Sequence, residues 1–172
     1  EVKAKVVINA AGPWSDELRA MVGAPARLRK LRGSHIIFPR EKLPIDQAVT
    51  LWHPRDNRGM FIMPWEGTTM IGTTDLDHDV KLEQGFAEPY ADANEIEYIM
   101  EGLRATLPGY PVEESDIISS FAGLRPIIRS GTTNDPSKES RAHVVWLEEG
   151  LLTVTGGKLT IFRRMAHEAL QA

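Results

Sequence analysis

The 172-residue sequence contains no cysteine, which excludes disulfides and thiolate metal ligands and fits a cytosolic location. Aromatic residues make up only 7%, no apolar run approaches the roughly 18 residues of a membrane span, and no signal peptide opens the chain. Any membrane contact would therefore be peripheral. Neither sign of charge dominates: 20 Lys and Arg against 24 Asp and Glu give a net charge of −4, which argues against a general nucleic-acid-binding surface but leaves room for a local cluster of arginines. No G-x-G-x-x-G stands between a strand and a helix, so the dinucleotide-binding fingerprint is missing. An initiating methionine is missing too, and the first residues already read as a strand, so a piece of a larger protein is expected.

What is present is an ordinary globular composition, 42% hydrophobic and 26% charged, long enough for one core. Val2 to Asn9 reads as a strand in which Lys3 and Lys5 alternate with apolar neighbours before Val6-Val7-Ile8 turns wholly apolar, the pattern of burial on both faces. Ser15 to Met21 suits a short helix ended by Gly23 and Pro25, and Arg27 to Pro39 passes from a basic segment into an apolar strand. Strands are expected at Gln47 to Trp52, Met60 to Trp65 and Thr68 to Thr73, the last two joined as a hairpin across Glu66-Gly67. Asp92 to Ala105 has Ile96, Ile99, Met100 and Leu103 at helical spacing, an N-cap at Asp92 and a stop at Pro108-Gly109. Strands follow at Asp116 to Arg125, Val144 to Glu148 and Leu151 to Thr155, and a helix at Leu159 to Leu170; the loop Gly131 to Ser140 is the expected mobile segment. The pattern predicts an α+β fold, with an antiparallel-sheet domain at 25–149 inserted into an α/β domain represented by 1–24 and 150–172.

The strand Leu151 to Thr155 runs into Gly156-Gly157-Lys158 and then a helix, a corner that offers backbone N–H groups and one ammonium to an anion. The opening strand closes in the small-residue turn Asn9-Ala10-Ala11-Gly12-Pro13-Trp14. Gly33-Ser34-His35 places a histidine just inside a strand start, beside a glycine that allows close backbone approach; a surface or hydrogen-bonded histidine at a strand edge is the plainer reading. Phe121-Ala122-Gly123-Leu124-Arg125-Pro126 fixes an arginine between Gly and Pro, suited to clamping an oxyanion or to a simple surface ion pair. Arg141 could add an anion contact, and Arg129 reads as solvated. Ile71-Gly72-Thr73-Thr74-Asp75 reads first as an Asx-type turn, Asp77 and Asp79 around His78 as a solvated loop rather than a metal site, and the four tryptophans as core or rim aromatics.

Taken in order, Asn9-Ala10-Ala11-Gly12-Pro13-Trp14, Arg32-Gly33-Ser34-His35-Ile36, Ile71-Gly72-Thr73-Thr74-Asp75, Gly123-Leu124-Arg125-Pro126 and Gly156-Gly157-Lys158-Leu159-Thr160 closely resemble the FAD-dependent glycerol-3-phosphate dehydrogenases, members of the D-amino-acid-oxidase-like flavoproteins. The resemblance implies a Rossmann-type FAD domain interleaved with an antiparallel-sheet substrate domain, of which this chain is similar to the substrate domain plus flanking FAD-domain strands and helix. It implies catalytic roles for Arg125, His35 and Lys158: Arg125 holding the substrate and stabilising charge on its oxygen, His35 accepting the hydroxyl proton, Lys158 near the flavin edge and the substrate. Arg141 would join Arg125, His35 and Lys158 in substrate binding, through the phosphate. Ala10, Ala11, Gly12, Gly123, Gly156, Gly157, Lys158, Leu159 and Thr160 would lie along the FAD cofactor, and no metal is implied. Ile161-Phe162-Arg163 departs from the Thr and Tyr usual after Lys158-Leu159-Thr160.

The implied reaction of the longer protein is oxidation of sn-glycerol 3-phosphate to dihydroxyacetone phosphate with electrons passed to a quinone. Its implied setting is the cytoplasm, with peripheral contact at the inner face of the cytoplasmic membrane. An amino-acid or amine oxidase of the same superfamily, a glycerol-phosphate oxidase, and a non-catalytic phosphate-ester-binding module remain as alternatives. The isolated chain, short of most FAD contacts, is expected to be inactive and largely flavin-free.

Overall fold

In the computed structural model, residues 2–78, 88–129 and 141–172 are described. Chain order runs β1 (Val7–Asn9), a 3-10 turn at Gly12–Trp14, α1 (Ser15–Ala20), β2 (Leu28–Pro39), β3 (Val49–Trp52), β4 (Gly59–Trp65), β5 (Thr68–Gly72), β6 (Leu76–Asp77), α2 (Ala93–Thr106), a 3-10 turn at Glu114–Asp116, β7 (Ser119–Ile128), β8 (His143–Glu148), β9 (Leu151–Gly156), a 3-10 turn at Leu159–Ile161, and α3 (Phe162–Gln171). This is a mixed α+β fold. It divides into two units, residues 32–123 and residues 1–31 with 124–172.

The unit 32–123 is built on the antiparallel register β3-β4-β5-β2, in which Ile62 faces Ile71 and Ile71 faces Ile36 across adjacent strands. With a side-chain period of two, Ile36, Phe38, Met60, Ile62 and Ile71 fall on one face, where α2 covers them with Ile99, Met100 and Leu103; all eight are fully buried. The helix begins where its sequence dictates: Asp92 accepts from the Glu95 N–H at 3.0 Å while Glu95 accepts from the Asp92 N–H at 3.2 Å, a reciprocal capping box. The opposite sheet face carries His35, Phe61 and Gly72, which are paired in register across β2, β5 and β4. Trp52 and Trp65 are 64% and 50% exposed, rim rather than core.

In the other unit, β1 lies parallel to β9 and β8 antiparallel to it. The strand at His143–Glu148, expected inside the middle segment 25–149, therefore pairs with the closing strand of the flanking one, because Val145 and Leu147 match Val154 and Leu152 in register. The opening strand is also shorter than its composition predicts. Only Val7–Asn9 pairs, and Val7 and Ile8 are 56% and 51% exposed, because β1 has a neighbour on one side alone among the described residues. No described helix is long and apolar enough to cross a membrane.

Arg19 is fully buried, held by Glu148 at 2.8 Å and Asp16 at 2.5 Å and lying over Trp146 at 4.5 Å. Its hydrogen bond holds the Glu148 carboxyl below the ordinary carboxylate range. A carboxyl shifted down on folding adds stability that is complete above its unfolded value of about 4.3 and is lost as pH falls through the folded value. Glu148→Gln is expected to cost about 3 kcal/mol at neutral pH by leaving the guanidinium half-paired. Denaturant titrations at pH 7 and in acid should then show a smaller acid-dependent loss for the variant than for the parent.

Candidate functional site

The turn after β1 is shaped from beneath by Asn9, which is 2% exposed. Its Nδ2 donates to the Ser15 carbonyl at 2.9 Å and to Thr153 Oγ1 at 3.2 Å, and its Oδ1 accepts from the Ala11 N–H at 3.2 Å. Both polar atoms of one buried amide are thereby spent on tying the turn at Ala11 to β9 and to the start of α1. Beside this turn lies a cavity of about 280 Å³ lined by Ala10, Gly12, Thr155, Gly156, Pro126 and, from α3, Phe162 and Met165. Three of the expected cofactor residues, Ala10, Gly12 and Gly156, thus meet at one cavity. Gly12 has φ +57° and nothing within 4 Å of where a Cβ would stand. Among the described residues, no charged side chain lines the cavity. Small residues, open backbone and an uncharged lining suit the ring and ribityl parts of a flavin.

The Gly156-Gly157 corner is required by packing as well. Gly156 has φ +77°, and a Cβ on it would lie 2.7 Å from the Ala142 carbonyl oxygen. Gly156→Ala combines a left-handed L-residue with a backbone clash and is expected to destabilise by about 2–3 kcal/mol, read from a denaturant midpoint. The helix does not follow the corner at once: Lys158 is extended, Leu159–Ile161 forms a 3-10 turn, and α3 starts only at Phe162. Lys158, Leu159 and Thr160 are exposed and do not line the cavity, and neither do Ala11 and Gly157. Arg141 is exposed two residues before the start of β8, and Arg125 is half-buried on β7.

In the unit 32–123, His35 lies in the middle of β2 rather than at its start, because Leu28 and Leu31 are buried and carry the strand back through the basic segment. Its ring is held from two sides. Phe121 stacks on it with centroids 4.8 Å apart and planes at 9°. On β5, a Cβ added to Gly72 would stand 2.8 Å from His35 Cγ and Nε2 and closer still to Cδ2, so the imidazole occupies the room that glycine leaves. Gly123 is exposed on β7.

In Ile71-Gly72-Thr73-Thr74-Asp75, Thr74 and Asp75 are buried. Thr74 Oγ1 donates to Glu95 at 2.6 Å and accepts from the Ser34 N–H at 2.9 Å. Ser34 Oγ also donates to Glu95, at 2.8 Å, and Arg32 pairs with Glu95 at 2.8 Å and with Asp92 at 2.7 Å. Two sequence motifs thus meet at a carboxylate that sequence reasoning did not single out. The Asp92-x-x-Glu95 spacing is a readable capping signal, but a cap is normally solvated and gives no hint of a buried hub. Among the described residues there is no cluster of three metal-ligating side chains. Asp79 and the loop Gly131 to Ser140 lie outside the described residues.

The chain matches the FAD dependent oxidoreductase (DAO) family over residues 1–163 and belongs to it. It is 41% identical over 172 residues to an aerobic glycerol-3-phosphate dehydrogenase of Staphylococcus saprophyticus, covering 97% of this chain and 30% of that protein. It superposes on the crystal structure of the glycerol-3-phosphate dehydrogenase from Bacillus halodurans complexed with FAD with a TM-score of 0.84 and 32% identity, over 99% of this chain and 32% of that one. A glycine oxidase from Bacillus cereus, at TM-score 0.60 and 20% identity over 99% of this chain and 43% of that one, shares the fold alone. The chain spans about a third of the length of the relatives it matches.

Proposed function

We propose that this chain is part of a flavoenzyme that oxidises sn-glycerol 3-phosphate to dihydroxyacetone phosphate. The observation that carries the reading is its 41% identity, along nearly its whole length, to an aerobic glycerol-3-phosphate dehydrogenase. Bound FAD supplies the acceptor for the hydrogen and electron pair that leave substrate carbon 2. Ala10, Gly12 and Gly156 would hold its uncharged parts, and Ala11, Gly123, Gly157, Leu159 and Thr160 are assigned to it by the motif resemblance.

His35 takes the proton of the C2 hydroxyl, a role suited to an imidazole. Arg125 binds the substrate and stabilises negative charge as it grows on the C2 oxygen. Arg141 binds the phosphate, for which a planar guanidinium offers paired donors, and Lys158 adds a cation toward substrate and flavin. Quinone as the onward electron acceptor, cytoplasmic location and peripheral contact with the inner membrane face complete the reading for the whole protein. This stretch by itself would be inactive and bind flavin weakly, since a flavin needs a pyrophosphate site as well.

The test is anaerobic mixing of the full-length protein with substrate while the flavin absorbance is followed. Bleaching by glycerol 3-phosphate but not by glycerol, glycine or sarcosine is expected. Bleaching by an amine alone would move the chemistry to an amino-acid oxidase and Arg125 to a carboxylate.

A further inference from the structure

We propose that Glu95 is the positioning residue for His35, an inference that rests on the assignment of His35 as proton acceptor. Glu95 stands on α2, behind the sheet, with its side chain fully buried. Arg32 and Ser34 are two apart on β2 and share one face of that strand, while His35 points to the other. The carboxylate therefore grips the strand from the back at the residue before the histidine and at one two positions further back, through Ser34 Oγ at 2.8 Å and Arg32 at 2.8 Å.

It also grips the second element that touches the ring. Thr74 follows two residues after Gly72, whose backbone the imidazole packs against, and its hydroxyl donates to Glu95 at 2.6 Å. That same hydroxyl accepts the N–H of Ser34, the residue before His35, at 2.9 Å. One carboxylate thus sets the spacing between β2 and the segment leaving β5, which is the spacing that leaves room for the ring. A buried carboxylate with this many donors is rigid, because displacing it strands a charge and several polar groups together.

Gln in place of Glu keeps the volume, removes the charge and turns an NH2 toward groups that are donors. The tilt of β2 that follows is expected to move His35 out of register with the substrate hydroxyl, and misplacement on an ångström scale lowers turnover steeply. A positioning role differs from simple core stability in one respect: its effect vanishes when the group it positions is gone.

The experiment is a double-mutant cycle in the full-length flavin-loaded enzyme, with Glu95→Gln, His35→Ala and the pair, scored by kcat and KM for glycerol 3-phosphate, flavin content and thermal midpoint. Glu95→Gln is expected to lower kcat about tenfold with little change in KM, and by less than about twofold when added to His35→Ala. An equal fall in both backgrounds, or none in either, overturns the inference alone. An unchanged kcat in His35→Ala overturns the role of His35, and this inference with it. Should Glu95→Gln fail to fold, Ser34→Ala removes one donor, leaves Arg32 in place and runs through the same cycle with the same criteria.

Discussion

Replacing Arg125 by alanine in the full-length enzyme is expected to lower kcat/KM for glycerol 3-phosphate by roughly a thousandfold while the flavin stays bound. The size follows from what the side chain is asked to do. A guanidinium that meets charge developing on a substrate oxygen acts mainly in the transition state, so its loss appears in kcat as well as in KM. Position supports the assignment. Pro126 restricts the residue before it to extended backbone, which together with pairing along β7 fixes where the Arg125 side chain starts. Pro126 itself lines the cavity that Ala10, Gly12 and Gly156 share, so the arginine stands next along the chain to that cavity wall. Arg125→Lys keeps the charge but loses the planar fork and should recover only part of the activity. The measurement is steady-state kinetics with the flavin absorbance of each variant recorded beside it; unchanged efficiency in Arg125→Ala would remove the residue from the reaction.

Local signals were legible and long-range ones were not. The β4–β5 hairpin, the start of α2 at Asp92 and the break after β9 all follow from residues adjacent in sequence, where turn chemistry and capping act. The motif residues Ala10, Gly12 and Gly156 could be picked out as small residues at strand ends, and they do meet at one cavity. The placement of β8 depends instead on which distant strand its register fits, and the exposure of Val7 and Ile8 on how many neighbours β1 has. Neither is encoded in an apolar run as such. Glu95 escaped for a related reason. Its sequence context is complete as a helix cap, and only the fold brings Arg32, Ser34 and Thr74 from 63, 61 and 21 residues away onto the same carboxylate.

The second large effect is expected at a residue with no side chain. Gly72→Val should lower kcat by about a hundredfold, close to the loss from His35→Ala, although valine adds no polar group and removes none. Any Cβ at position 72 stands 2.8 Å from His35 Cγ and Nε2, and the added methyls of valine extend the overlap. Gly72 is an interior position of the sheet, paired with His35 on one side and Phe61 on the other, so its backbone cannot retreat without breaking two ladders. The ring must give way instead, against the stacked face of Phe121. Loss of packing would also lower stability by about 1–3 kcal/mol, so kcat is compared at a temperature where each variant is folded by circular dichroism. Gly109→Val is the control, since nothing lies within 4 Å of its Cβ position. If Gly72→Val is folded and turns over like the parent, His35 is not held by the room that glycine leaves.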